Sequence, residues 1–64
     1  MKMVPVKSSN LTHIGHHGHT LHVTYKGGVK YRFEPVPVGI FNQLMAAESK
    51  GKFLMAMGIK GVKI

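Results

Sequence analysis

The chain has no cysteine, no tryptophan and no aspartate, and its only acidic residues are Glu34 and Glu48. Without cysteine there is no disulfide framework and no thiolate metal site. With only two carboxylates, glycosidase and two-metal hydrolytic schemes lack their working groups. No apolar run approaches the roughly 20 residues of a membrane-spanning helix. The start, Met1-Lys2-Met3-Val4-Pro5-Val6-Lys7, is basic but has no long apolar stretch behind it. No signal peptide is therefore expected, and a cytoplasmic location is the expectation.

What is present is charge of one sign. Nine Lys and Arg against two Glu leave a formal net charge of +7 over 64 residues. That length has room for one domain, which buries only about 60% of the surface its unfolded chain exposes. A second copy, a ligand or a larger assembly would add stability that so small a core lacks. The charge excess points to an anionic partner: nucleic acid, phospholipid headgroups or an acidic protein. The plainer reading is a positive surface kept for solubility. Five histidines, His13, His16, His17, His19 and His22, fall within ten residues. Imidazole ordinarily titrates near pH 6.5, so an electrostatic partner should bind more tightly as the pH falls.

Hydrophobic alternation predicts strands. Leu21, Val23 and Tyr25 alternate with Thr20, His22 and Thr24, and Val29, Tyr31 and Phe33 alternate with Lys30 and Arg32. Lys26-Gly27-Gly28 between them reads as a hairpin turn. Asn10 to His16 predicts an earlier strand with less regular alternation, Gly15 marking a bulge or bend, and Gly18 the turn onward. Pro35-Val36-Pro37 then breaks the pattern, and Pro37 suits the start of a helix. Ile40, Phe41, Leu44, Met45 and Ala47 form a helical stripe. Ser49 is placed to cap a second helix with Phe53, Leu54 and Met57 on its apolar side, and Gly58 to end it. Met45, Met55 and Met57 read as packing residues. The predicted fold is α+β: a three-stranded antiparallel β-meander with one face covered by two short C-terminal helices. Residues 1–5 are expected as an N-terminal extension, 6–59 as one domain and 60–64 as a tail, either an edge strand or an arm on a partner.

An ordered set of segments resembles a known family. Val6-Lys7-Ser8-Ser9-Asn10-Leu11, Ile14-Gly15, Leu21-His22-Val23, Gly28-Val29-Lys30-Tyr31-Arg32-Phe33, Val36-Pro37 and Ser49-Lys50-Gly51-Lys52-Phe53 together look like the KTSC domain. That domain occurs alone in bacterial and phage proteins and at the C-terminus of some lysyl-tRNA synthetases. The resemblance implies a role with RNA or other nucleic acid, no cofactor and no settled activity. It also suggests a phage or bacterial source. This chain departs from the pattern at His16 and His17, where an aromatic usually ends the first strand. It departs again at Leu54 and Met55, where the family tends to have an aromatic and then Asn.

Nucleic-acid binding without catalysis is the leading expectation. His22, Lys30 and Arg32 should share the sheet face opposite the core, with Lys26 near the turn. Ser49, Lys50 and Lys52 form a second basic group at the start of the short helix. In the alternative reading Ser49 merely caps and the lysines face water. The aromatic residues are assigned to the core, so phosphate contacts should outweigh base stacking. The histidines match no standard zinc spacing, so no metal site is expected; His13, His17 and His19 are the alternative set. A ribonuclease built on His13, His22 and Lys30 or Arg32 would need a convergence that nothing in the sequence indicates. The competing function is protein interaction: docking an acidic partner, or pairing with a second copy through Leu54, Met55, Met57, Ile59 and Ile64.

Overall fold

The computed structural model describes residues 1–64. Five strands, β1 (Met3–Pro5), β2 (Leu11–His17), β3 (Thr20–Tyr25), β4 (Lys30–Phe33) and β5 (Gly61–Lys63), form one sheet. They lie in the order β1-β2-β3-β4-β5, every neighbouring pair antiparallel. Between β4 and β5 the chain makes two helices, α1 (Val38–Ala46) and α2 (Lys50–Ala56). The architecture is α+β, but the sheet has five strands where three are expected. Both additional strands are edges, supplied by residues read as extension and tail.

The irregular alternation of β2 has a cause in the ladder. Leu11 and Ile14 both face the core although an odd spacing should put them on opposite faces. A register shift between Leu11 and His13 resolves this, with Thr12 as the extra residue. The bulge is therefore at Thr12 and not at Gly15. Gly15 serves a different purpose: Met3 and Met1 lie over its bare backbone. The β2–β3 turn is Gly18-His19, with positive φ at Gly18 alone, as a two-residue loop with glycine first requires. The β3–β4 loop is longer than a two-glycine turn. Tyr25 N–H donates to Val29 and Gly28 N–H to Tyr25, leaving Val29 outside the strand and exposed.

The core is Leu11, Ile14, Leu21, Val23, Phe33, Val36, Leu44 and Leu54. Leu44 comes from α1 and Leu54 from α2, so both helices cover the same sheet face. Pro37 immediately precedes α1, and its carbonyl accepts from Ile40 and Phe41. Ser49 caps α2 as its sequence predicts, its hydroxyl accepting from Lys52 N–H at 3.4 Å. Met45 and Met57 pack against the core, whereas Met55 is 85% exposed and does not.

His16 completes this covered side. Its ring stacks on Phe41 with centroids 4.7 Å apart and planes 9° apart. Nε2 is 2.6 Å from the Val36 carbonyl, an acceptor, so the Nε2–H must donate. The imidazole thus packs as an aromatic ring on the covered face, and it adds a hydrogen bond that a phenyl ring lacks. Gly61 is equally constrained: a Cβ there would lie 2.6 Å from Phe33 Cε2. Gly61 lets the C-terminal strand close over Phe33, and Ile64 N–H donates to Lys30 to hold it.

Candidate nucleic-acid interface

Alternation along the strands leaves one sheet face without helices. Cross-strand register places Gly15, His22, Arg32 and Val62 in one row and His13, Thr24 and Lys30 in the next. His22, Lys30 and Arg32 therefore share this face, as the sequence predicts. Arg32 is not a free cation, however. Its Nε lies 3.3 Å from Glu34 Oε1 without alignment for a hydrogen bond, and Thr20 Oγ1 donates to Glu34 Oε2 at 2.9 Å. Both charged side chains are nearly half exposed, so the pair adds little stability, at most about 1 kcal/mol. Its consequence is electrostatic: Glu34 offsets Arg32 where a phosphate would approach.

Six of the eight lysines lie in segments at one end of the sheet. This is where β1 and β3 finish and where β2 and β4 begin. Lys7 lies in the β1–β2 connection, Lys26 in the β3–β4 loop and Lys30 at the first position of β4. Lys63 pairs with Tyr31 at the same end, and this register turns its side chain to the helix-covered side, opposite Lys30. Asn10 joins these segments to the start of α2: its carbonyl accepts from Lys26 N–H at 2.8 Å, and its Nδ2 is 3.5 Å from where a Gly51 Cβ would stand. Lys50 and Lys52 thereby join the same end.

These positions differ in what they can offer. Lys26, Lys30 and Lys52 are exposed. Lys50 is half-buried and its Nζ donates to the Ala47 carbonyl at the end of α1 at 3.2 Å, so part of its role is to join the two helices. Ser49 Oγ is engaged in its cap. Glu48 is exposed just before α2, while Glu34 lies at the opposite end of β4. Sequence reasoning missed Lys7 and Lys63. Their alignment with Lys26 follows from pairing between segments far apart in the chain, for which no local pattern exists.

Every Tyr and Phe belongs to the core or packs against it, so the free face carries no phenyl or phenol platform. Burial, and then the neighbouring Tyr31, raise the Tyr25 phenol above its ordinary pKa. No three His, Cys, Asp or Glu side chains form a group able to hold a metal. In the alternative set, His13 and His17 lie on the free face of β2 while His19 stands in the turn. No helix is long and apolar enough to cross a membrane.

A small α+β domain with an antiparallel meander, helices on one face and lysines at one end is the class these features define. The KTSC domain profile matches residues 7–60, and the chain belongs to that family. The chain is also similar in structure to a KTSC domain protein from Yersinia pestis. The TM-score is 0.86 at 28% identity, over 98% of this chain and 96% of that one. None of the curated proteins matches the chain.

Proposed function

We propose that this domain is a non-enzymatic cytoplasmic module that binds RNA or DNA chiefly through backbone phosphates. The observation that carries the reading is the convergence of Lys7, Lys26, Lys30, Lys50, Lys52 and Lys63 on one end of a rigid sheet. Ammonium groups on long stems contact phosphates without requiring a base sequence, and each contact releases counterions. With the phenyl and phenol rings committed to the core, phosphate contact outweighs stacking.

The test is fluorescence polarisation with labelled single- and double-stranded RNA and DNA at two salt concentrations. The double variant Lys26→Ala/Lys52→Ala removes two exposed ammonium groups that make no hydrogen bond to the protein. It should weaken binding and lower the salt slope by about 1 per lysine, with the melting temperature unchanged. Absence of binding to all four ligands at low salt would refute the reading.

A second reading rests on the helices. Between α1 and α2 is a hollow of about 270 Å³ lined by Ile40, Gln43, Phe53, Ala56, Met57 and Ile59. Val38 is 61% exposed and Met55 85% exposed on the same helices, but neither lines the hollow. The hollow itself suits a protein partner or a second copy. In that case Gln43→Arg in its lining would weaken association while salt would affect it little.

A further inference from the structure

The free face has one bare position at its centre. Along β2 its side chains are His13 and His17, with Gly15 between them. Gly15 pairs with Met3 on one side and with His22 on the other. The hollow is not left open, because a Cβ on Gly15 would lie 2.5 Å from Met3 Sδ, with the Lys2 carbonyl oxygen and Met1 Cγ each at 3.0 Å. A thioether sulfur is thus laid over backbone, with imidazoles on the neighbouring strand and two residues either way along its own.

Directly opposed side chains in an antiparallel sheet stand about 5 Å apart at Cβ, and diagonal ones about 7–8 Å. Imidazole spans such distances, so His22 and His13 can both lean over Gly15 toward the sulfur. His13 is also oriented: its Nδ1 is 3.1 Å from Thr12 Oγ1. In the tautomer where Nδ1–H donates to that hydroxyl, Nε2 presents a lone pair. Metal-binding imidazoles are commonly fixed by such a bond on the other ring nitrogen.

The chemistry of the set selects the ion. No three histidines and carboxylates form a metal group here, so a site with three side-chain ligands needs the sulfur. Thioether and neutral imidazole are soft or intermediate ligands without charge, and thioether favours Cu(I). A divalent ion would meet a protein of net charge +7, with no anionic ligand in the set. A monovalent ion meets less repulsion and accepts three-coordination. We propose that Met3, His13 and His22 form a binding site for a soft monovalent cation, Cu(I), on the helix-free sheet face. The site does not depend on the nucleic-acid reading.

The experiment titrates Cu(I), under anaerobic reducing conditions, against a coloured Cu(I) chelator, with Ag(I) as an air-stable probe followed by NMR of the methionine methyl groups. One ion per chain is expected, with Ag(I) shifting the Met3 methyl and leaving those of Met55 and Met57 in place. Met3→Leu and His22→Gln should each lower affinity by about tenfold or more, with folding checked by circular dichroism. Met55→Leu and His19→Gln should leave it unchanged. Failure to compete for Cu(I) would overturn the proposal, as would full affinity in Met3→Leu or an Ag(I) response centred on Met55. The methyl shifts of the wild-type protein decide the matter even where a variant is unfolded.

Discussion

The two faces of the sheet are drawn from the same strands and differ in every residue that matters. On the covered face Ile14, Leu21, Val23 and Phe33 meet Leu44 and Leu54, and His16 finishes the layer by stacking on Phe41. On the other face stand His13, His22, Thr24, Lys30 and Arg32, with no helix above them. Alternation in the chain separates stability from availability for binding. Substitutions in the covered layer should change folding, and those on the free face and at the lysine end should change binding.

The largest effect is expected at Leu44, which is fully buried and is the buried contribution of α1 to the core. Leu44→Ala removes its contacts and leaves a cavity, costing about 2–5 kcal/mol in urea unfolding. For a domain of this size that is a large share of the total, so a substantial unfolded population is expected at 37 °C. A loss below about 1 kcal/mol would mean that the helices do not cover the sheet as described.

Gly61→Ala comes next. The new methyl group would stand 2.6 Å from Phe33 Cε2, and Phe33 is buried and cannot swing away. Either β5 leaves the sheet or the ring is forced from its position, at a cost of about 1–3 kcal/mol. Amide exchange at Ile64, whose N–H donates to Lys30, should accelerate before exchange in β3 does.

How much of this was legible in the sequence depends on the range of the interaction. The β3–β4 hairpin reads directly from alternation and two glycines, and α1 from Ile40, Phe41 and Leu44, because those signals are complete within a dozen residues. The edge strands do not. Met3–Pro5 and Gly61–Lys63 are three residues long, too short to show a period, and each exists only because a neighbour supplies its hydrogen bonds. His16 is ambiguous for a related reason: imidazole suits either face, and only Phe41 and the Val36 carbonyl decide. On the binding side, Lys26, Lys30, Lys50 and Lys52 are visible as cations. That Lys7 and Lys63 join them, and that Glu34 offsets Arg32, follows from strand register.

Glu34→Gln probes the binding face with little disturbance to the fold. The amide oxygen can still accept from Thr20, while Arg32 loses its ion partner and the net charge rises from +7 to +8. Polarisation titrations should show nucleic-acid affinity rising by severalfold at low salt, with the gain shrinking as salt is added. Stability should fall by at most about 1 kcal/mol. Unchanged binding in this variant would place Arg32 outside the interface and leave the lysine end to act alone.

The smallest effect tests the border between the faces. Tyr25 closes β3 on the core side near the lysine end, its phenol raised above the ordinary value by burial and by Tyr31, whose ring stands edge-on at 5.5 Å. A raised folded pKa means that the unfolded chain loses this proton first. The stability linked to Tyr25 is therefore fully present below about pH 10, the unfolded value, and is lost as pH rises through the folded one. Comparison with Tyr25→Phe isolates the phenol, because every other group is common to both. Melting temperatures followed from pH 8 to pH 11 should fall more steeply in the wild type than in the variant. Parallel curves would show that the phenol ionises as readily folded as unfolded, and Tyr25 would then belong to the exposed surface beside Lys26.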